Sequence, residues 1–343
     1  MLPDSASRVA EAVAKDTDAV RQRLQRRFCI APMMDCSDRH ARFFLRLFSD
    51  NILLYTEMVT AAAIVHGDVE YLLGFNPEEH PLAVQLGGSD PEQLYRAAQL
   101  CAEFGYDEIN LNCGCPSDRV QSGQFGACLM QDPALVAECV SALRSACRLP
   151  VTVKHRTGID QQDDYDRFAA FASAQIEAGS EALIVHARNA WLEGLSPKQN
   201  REIPPLKYDW VYRLKRDFPD CEIIINGGID TLDACLDHLE QVDGVMLGRE
   251  PYKNPWLLRN VDAVIFGQAS SEQPDRIELL HRMYPYIEKQ LGLGLPLSRI
   301  SRHLVGLFHG VPNGRRWRRY LSENTHRKTA GIETLQQAER LLN

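Results

Sequence analysis

Eight short strand-like runs, most of them separated by helix-length amphipathic segments, constrain this chain more than any other feature. They are Phe28–Met34, Leu53–Val59, Leu82–Leu86, Glu108–Asn112, Val151–His155, Ala182–Ala187, Glu222–Asn226 and Gly244–Gly248. Several are near-continuous in Val, Ile and Leu, as strands buried on both faces are. Between them, Asp90–Phe104 puts Pro91 in its first turn and spaces Leu94, Ala97, Ala98 and Cys101 three and four residues apart. Asp132–Cys147 repeats the device, with Asp132 as N-cap and Pro133 behind it. Asp164–Ala178, with Gly179 just past it, and Thr231–Leu239 follow the same plan. Eight strand–helix repeats predict an α/β fold, a closed parallel (β/α)8 TIM barrel. A doubly wound open sheet is the competing topology and needs a strand-order switch that a sequence does not display.

Past residue 260 the strand-like runs stop. Pro274–Gln290, Leu297–Phe308, Arg315–Asn324 and Thr334–Leu342 read as helices, joined to the barrel by the polar stretch Gly267–Asp275. The expected organisation is an N-terminal extension over 1–25, a catalytic barrel over 26–265 and a small all-helical C-terminal domain over 266–343. The 343 residues are enough to bury a large core without disulfides.

No apolar stretch reaches the length of a membrane-spanning helix, and Met1–Leu24 is broken by Asp4, Glu11, Lys15, Asp16 and Asp18, unlike a signal peptide. Ten cysteines are scattered, some inside apparent helices such as Cys139 and Cys235. They read as reduced thiols of a cytoplasmic protein. Cys-x-x-Cys pairs and a His-Glu-x-x-His motif are both missing, so no structural metal is expected.

In such a barrel, chemistry gathers at the C-terminal ends of the strands. Met33, Met34 and Asp35 follow strand one, Glu57 lies in strand two and Gln85 in strand three. Strand four ends in Asn110, Asn112, Cys113 and Cys115; strand five in Lys154, His155 and Arg156; strand six in His186, Ala187 and Arg188. Asn226, Gly227 and Gly228 close strand seven, and Gly248 with Arg249 closes strand eight. The paired glycines let backbone N–H groups approach an anion, so Gly227, Gly228, Gly248 and Arg249 suit a phosphate cradle, although glycines also simply make tight turns. Lys154 sits in a strand of a barrel without edges, so it must pair with an anion or lose its proton. Beside a flavin it would stabilise negative charge on the reduced ring. Gln85 suits a planar cofactor and His186 a phosphate or ring edge, unless the backbone satisfies it. Cys115, farther out on its loop than Cys113, suits an acid or a nucleophile.

Ala31-Pro32-Met33-Met34-Asp35, Val84-Gln85-Leu86-Gly87-Gly88, Ile109-Asn110-Leu111-Asn112-Cys113-Gly114-Cys115-Pro116-Ser117 and Val153-Lys154-His155-Arg156 resemble, in this order, the tRNA-dihydrouridine synthases. Val185-His186-Ala187-Arg188, Ile225-Asn226-Gly227-Gly228 and Met246-Leu247-Gly248-Arg249 continue the likeness. Gly123–Ala127, Gly194–Lys198, Arg201–Pro205 and Arg315–Arg318 resemble the A-type subgroup, and the likeness spans roughly residues 26 to 330.

The resemblance implies a flavin-dependent reduction of uridine to 5,6-dihydrouridine in the tRNA D-loop, at positions 20 and 20a. FMN would be bound tightly and without a covalent link, with NADPH as reductant. FMN contacts would fall on Pro32, Met33, Met34, Gln85, Lys154, His186, Asn226, Gly227, Gly228, Gly248 and Arg249. The flavin would deliver hydride to uracil C6 and Cys115 would protonate C5 as a general acid, with the base extruded into the barrel mouth. Asn112 would lie beside the uridine. Cys113 departs from the aliphatic residue common in the family and adds a second thiol near the site.

Two other readings compete: a flavoenzyme reducing a free pyrimidine or other small molecule, and an RNA-binding module without catalysis. The charge distribution bears on both. The net charge is −8, but residues 1–270 carry −13 and residues 271–343 carry +5. Within 299–328, eight basic residues face one acidic residue, Glu323. RNA phosphates need a local basic surface, not a basic protein. Arg316 and Arg319 are expected to touch tRNA, as are Lys198 and Arg201 after strand six. Arg315, Arg316, Arg318 and Arg319 around Trp317 cannot share one helix face, so part of the set is expected to serve packing. Trp191 and Trp210 suit either base stacking or packing. The expected partner is tRNA, not a membrane, and the expected state is a monomer.

Overall fold

A computed structural model describes residues 24–117, 120, 123–268 and 274–342. The N-terminal extension, apart from its last two residues, and the middle of the Gly267–Asp275 joint lie outside the described residues. Eight parallel strands close a barrel in chain order: β1 (Phe28–Ile30), β2 (Leu53–Thr60), β3 (Leu82–Gly87), β4 (Glu108–Cys113), β5 (Val151–Arg156), β6 (Ala182–His186), β7 (Glu222–Asn226) and β8 (Gly244–Leu247). The ring is sealed by β1 on β8, with Phe28 opposite Val245 and Ile30 opposite Leu247. The fold is thus a (β/α)8 barrel with a helical C-terminal region, and the open-sheet alternative is excluded.

The crossover helices begin where their caps stand. Asp90 accepts from the Glu92 and Gln93 amides, Asp132 from Leu135, Asp164 from Asp166 and Thr231 from Ala234. β1 is shorter than expected. It stops at Ile30, because Pro32 has no N–H for the ladder and the chain turns at once, Cys36 N bonding Met33 O at 3.1 Å.

Strand alternation sorts the barrel into two environments. Outward-facing Val84, Leu86, Ile109, Leu111, Val151, Val153, Leu183, Val185, Ile223 and Ile225 pack beneath the helices. Inward-facing residues are apolar in one layer only, with Cys29, Leu53, Tyr55, Ala83, Ala182, Ile184, Ile224 and Met246 clustering. β4 and β5 depart from the near-continuous apolar pattern. Glu108, Asn110 and Thr152 are buried inside the barrel, stabilised by hydrogen bonds to one another.

Helices Arg276–Gly292, Ser298–Leu304, Gly314–Asn324 and Ile332–Arg340 surround a second core of Leu280, Met283, Ile300, Leu304, Trp317 and Leu335. Phe44, on barrel helix Arg39–Arg46, belongs to this core too. Beside it, Asp38 caps that helix through His40 N and Ala41 N, both at 3.0 Å, while accepting from Arg302 at 2.6 Å and His303 at 3.0 Å. Against the upward pull of burial, the hydrogen bonds from His303, the Ala41 amide and Arg302 hold the Asp38 carboxyl well below the ordinary carboxylate range. His40 Nδ1 meets the Tyr286 hydroxyl at 2.6 Å, and Phe43 stacks on the same ring. The first barrel helix is therefore the seat of the C-terminal region.

Candidate active site

The C-terminal ends of the strands surround a cavity of about 620 Å³. Its lining includes Pro32, Met33, Met34, Gln85, Asn112, Cys115, Lys154, His186, Arg201, Asn226, Gly227, Gly228, Gly248 and Arg249. Lys198 is exposed and outside the lining; Arg316 and Arg319 are exposed on helix Gly314–Asn324 in the C-terminal region. Strand parity explains the convergence. Gln85, Asn112, Lys154, His186 and Asn226 all stand on inward positions near the ends of their strands.

Lys154 Nζ donates to Asn226 Oδ1 at 3.1 Å, and Asn226 Nδ2 donates to Met246 O at 2.7 Å. Burial, with the Arg156 charge adding to it, pulls the Lys154 amine down to about 7. His186 is pushed well below its usual value by burial and by the Arg156, Lys154, Arg188 and Arg201 charges, so its ring is neutral. Among the described residues no carboxylate pairs with Lys154 or Arg156. The floor thus holds excess positive charge, a donor set that suits an anion.

Two loops shape the wall. Gly227 and Gly228 both take positive φ, at 112° and 73°. A Cβ on Gly227 would lie 2.5 Å from the His186 ring, so only glycine fits against it. The Tyr208 hydroxyl anchors this turn by donating to Gly227 O at 2.6 Å. A Cβ on Gly248 would make ordinary contact with Met33 Sδ at 3.4 Å and the Ala31 Cβ at 3.6 Å. The Arg249 side chain turns to the rim and pairs with Glu202 at 2.6 Å.

Cys115 is half-buried on the loop after β4, its Sγ 3.4 Å from Ser117 Oγ. Its amide and that of Gly114 donate to Asn112 Oδ1 at 3.0 and 3.1 Å. Cys113 faces outward into the core, fully buried, and burial raises its thiol far above the ordinary value. It is therefore shielded from the site. His155 also faces outward, between Phe168 and Phe171.

Arg156 received no role from the sequence. It is buried, lines the cavity and donates to Gly114 O at 3.0 Å, Asn189 O at 3.2 Å and Asn200 O at 2.9 Å. It thus ties the Cys115 loop to the loop after β6. Its signal was available: it stands two residues past Lys154, on the same strand face.

In the C-terminal region, Trp317 and Leu321 are buried while Arg315, Arg316, Arg318 and Arg319 are all exposed. The expected packing role for some of them does not hold, because Gly314, Trp317 and Leu321 alone supply the buried stripe. Trp210 packs edge-on to Tyr165 with Lys207 over its face, and Trp191 is clamped by Asn200. Among the described residues there is no cluster of three metal-ligating side chains and no helix long and apolar enough to cross a membrane.

The family model for dihydrouridine synthase matches residues 29–343. The chain belongs to this family. A dihydrouridine synthase of this sequence has near relatives called tRNA-dihydrouridine(20/20a) synthase. The relative from Shewanella oneidensis is 56% identical over 315 residues, 92% of this chain and 93% of its own. That from Xanthomonas axonopodis pv. citri is 55% identical over 312 residues, covering 91% and 92%. That from Escherichia coli K12 is 55% identical over 317 residues, covering 92% and 91%. Family membership makes the protein an oxidoreductase acting on uridine.

Proposed function

We propose that this protein reduces uridine to 5,6-dihydrouridine at positions 20 and 20a of the tRNA D-loop, with Cys115 as proton donor. The observation that carries this is the meeting of Cys115, Gln85, Lys154 and His186 in one cavity.

The residues present fit FMN. The cavity size lies within the range of cofactor sites. Lys154, without a carboxylate partner, offers its charge to an anion or to a reduced ring. Gln85 lines the same cavity, and the positive-φ turn at Gly227 and Gly228, with Gly248, would offer backbone N–H groups to a phosphate. Pro32, Met33, Met34, His186 and Asn226 complete the contact set, with Arg249 supplying rim charge. FMN held there would supply the hydride for uracil C6, with NADPH as the source of its electrons.

The chain's own part is to hold the base and move a proton. The uridine must leave its tRNA fold to reach this cavity. Asn112 fixes the Cys115 backbone, and Arg156 ties that loop to the opposite wall. The Cys115 thiol gives its proton to C5 while C6 gains hydride, so the 5,6 double bond becomes single and the thiolate is reprotonated from solvent. Lys198 and Arg201 near the mouth, and Arg316 and Arg319 in the C-terminal region, bind RNA phosphates. We assign residues 266–343 as the tRNA-binding domain of a monomer. A free pyrimidine would need none of the four exposed arginines around Trp317.

The test is a map of dihydrouridine in tRNA from cells lacking the protein. Loss at 20 and 20a is expected. Loss only at other D-loop positions overturns the site assignment but keeps the enzyme class.

A further inference from the structure

Below the cavity floor, buried polar side chains join end to end. Glu108 accepts from Arg26 Nε at 2.6 Å on one oxygen. Its other oxygen accepts from the Tyr55 hydroxyl at 2.8 Å and from Thr152 Oγ1 at 2.6 Å. Asn110 Nδ2 donates to that same Thr152 hydroxyl at 2.9 Å. Asn110 Oδ1 accepts from Gln85 Nε2 at 2.8 Å, and Gln85 Oε1 accepts from Asn112 Nδ2 at 2.8 Å. Asn112 Oδ1 ends the series on the amides of Gly114 and Cys115, at 3.1 and 3.0 Å.

The series has a direction. An ionised carboxylate only accepts and a backbone N–H only donates. With Glu108 at one end and the Cys115 amide at the other, each carboxamide between them has one satisfied orientation. Turning any one sets oxygen against oxygen and nitrogen against nitrogen among side chains buried from solvent. Glu108, Asn110 and Thr152 have no solvent exposure, and none of them lines the cavity. Packing alone would be served by apolar residues, which carry no desolvation cost.

We propose that Glu108, Thr152 and Asn110 are positioning residues for the reaction: a directional hydrogen-bond chain anchored at the barrel base holds the backbone of Cys115. It also turns the remaining N–H of Gln85 and of Asn112 toward the cavity. The inference rests on the reading of Cys115 as proton donor, but its structural half can be tested without that reading.

The experiment compares FMN-loaded wild-type protein with Thr152→Val, Thr152→Ser and Asn110→Leu. Two quantities are measured: amide hydrogen exchange in the peptide covering residues 112–117, and kcat and KM for tRNA. Thr152→Val is expected to speed exchange at Gly114 and Cys115 about tenfold and to lower kcat by about the same factor, with KM unchanged. Thr152→Ser keeps the hydroxyl and restores both. A folded Thr152→Val protein with wild-type exchange and kcat overturns the proposal, as does a serine variant that behaves like valine. Should Asn110→Leu fail to fold, the Thr152 pair still decides. If wild-type protein reduces no uridine, the role of Cys115 falls, while the exchange comparison still judges the chain.

Discussion

The barrel mouth and the C-terminal helices both collect positive charge, but they hold it differently. In the cavity, Lys154 and Arg156 are placed by hydrogen bonds and perturbed by burial, beside a neutral His186 ring. Each of the two cations has specific partners, Asn226 for Lys154 and three backbone carbonyls for Arg156, while the His186 ring packs against Gly227. On helix Gly314–Asn324, four arginines stand in solvent, and of these Arg319 pairs only with its helix neighbour Glu323. Buried cations act through position and protonation state. Exposed ones act through summed potential and are screened by salt. Under the proposed function, the same residue chemistry would serve recognition of a small anion in one place and of a polyanion in the other.

That contrast can be broken in several ways. The largest effect is expected for Cys115→Ala, which should retain yellow FMN and its reduction by NADPH but lose uridine reduction by a factor of about 10² or more. Normal turnover on tRNA would refute the assignment. Next is Arg156→Met, which unties two loops and should destabilise the protein by roughly 2–4 kcal/mol in denaturant titrations. A loss below about 1 kcal/mol would mean that the loops stand without it.

The third concerns pH. Lys154 is charged below about 7 in the free protein. An anion favours the charged amine, so above that value binding must bring a proton with it. FMN affinity should therefore fall as pH rises from 7 to 9, by up to about tenfold per unit, and Lys154→Met should bind more weakly but without this slope. Equal pH slopes for the two proteins would remove Lys154 from the site.

The smallest effect belongs to the exposed charges. Arg316→Glu with Arg319→Glu should weaken tRNA binding at low salt, lessen its salt dependence and leave FMN content unchanged. Unchanged tRNA affinity would show that this face is not the footprint. Asp38 joins the two regions. Its depressed carboxyl stabilises the junction above the ordinary carboxylate range, and that contribution is lost as pH falls through its folded value. Asp38→Asn keeps a helix cap but removes the charge facing Arg302 and His303. It should lower tRNA turnover while leaving NADPH oxidation intact, and equal tRNA kinetics would exclude a coupling role.

Much of the barrel was legible because its signals are local. The strand runs end where apolar β-branched residues give way to polar ones, and Asp90, Asp132 and Thr231 cap helices through amides two or three residues on. β1 was overextended because Ala31–Met34 look apolar although Pro32 cannot join the ladder. The polar inner layer was not legible. Glu108, Asn110 and Thr152 look like interruptions of good strands, since partners such as Arg26 and Gln85 lie far off in the chain. The role of Arg156 stayed hidden for the same reason: its acceptors sit on two other loops.

The sequence by itself determined the eightfold strand–helix repeat, the family and which site residues stand at strand ends, because periodicity, capping and motif order are properties of near neighbours, whereas closure of the ring in chain order came from the tertiary structure. Only the tertiary structure decided that Cys115 and not Cys113 faces the cavity, that all four arginines beside Trp317 are exposed, and that a buried carboxylate at the barrel base is linked to the amide of Cys115. Those outcomes depend on closure of the ring, which brings residues from separate strands within hydrogen-bond distance and excludes the water that would otherwise satisfy them.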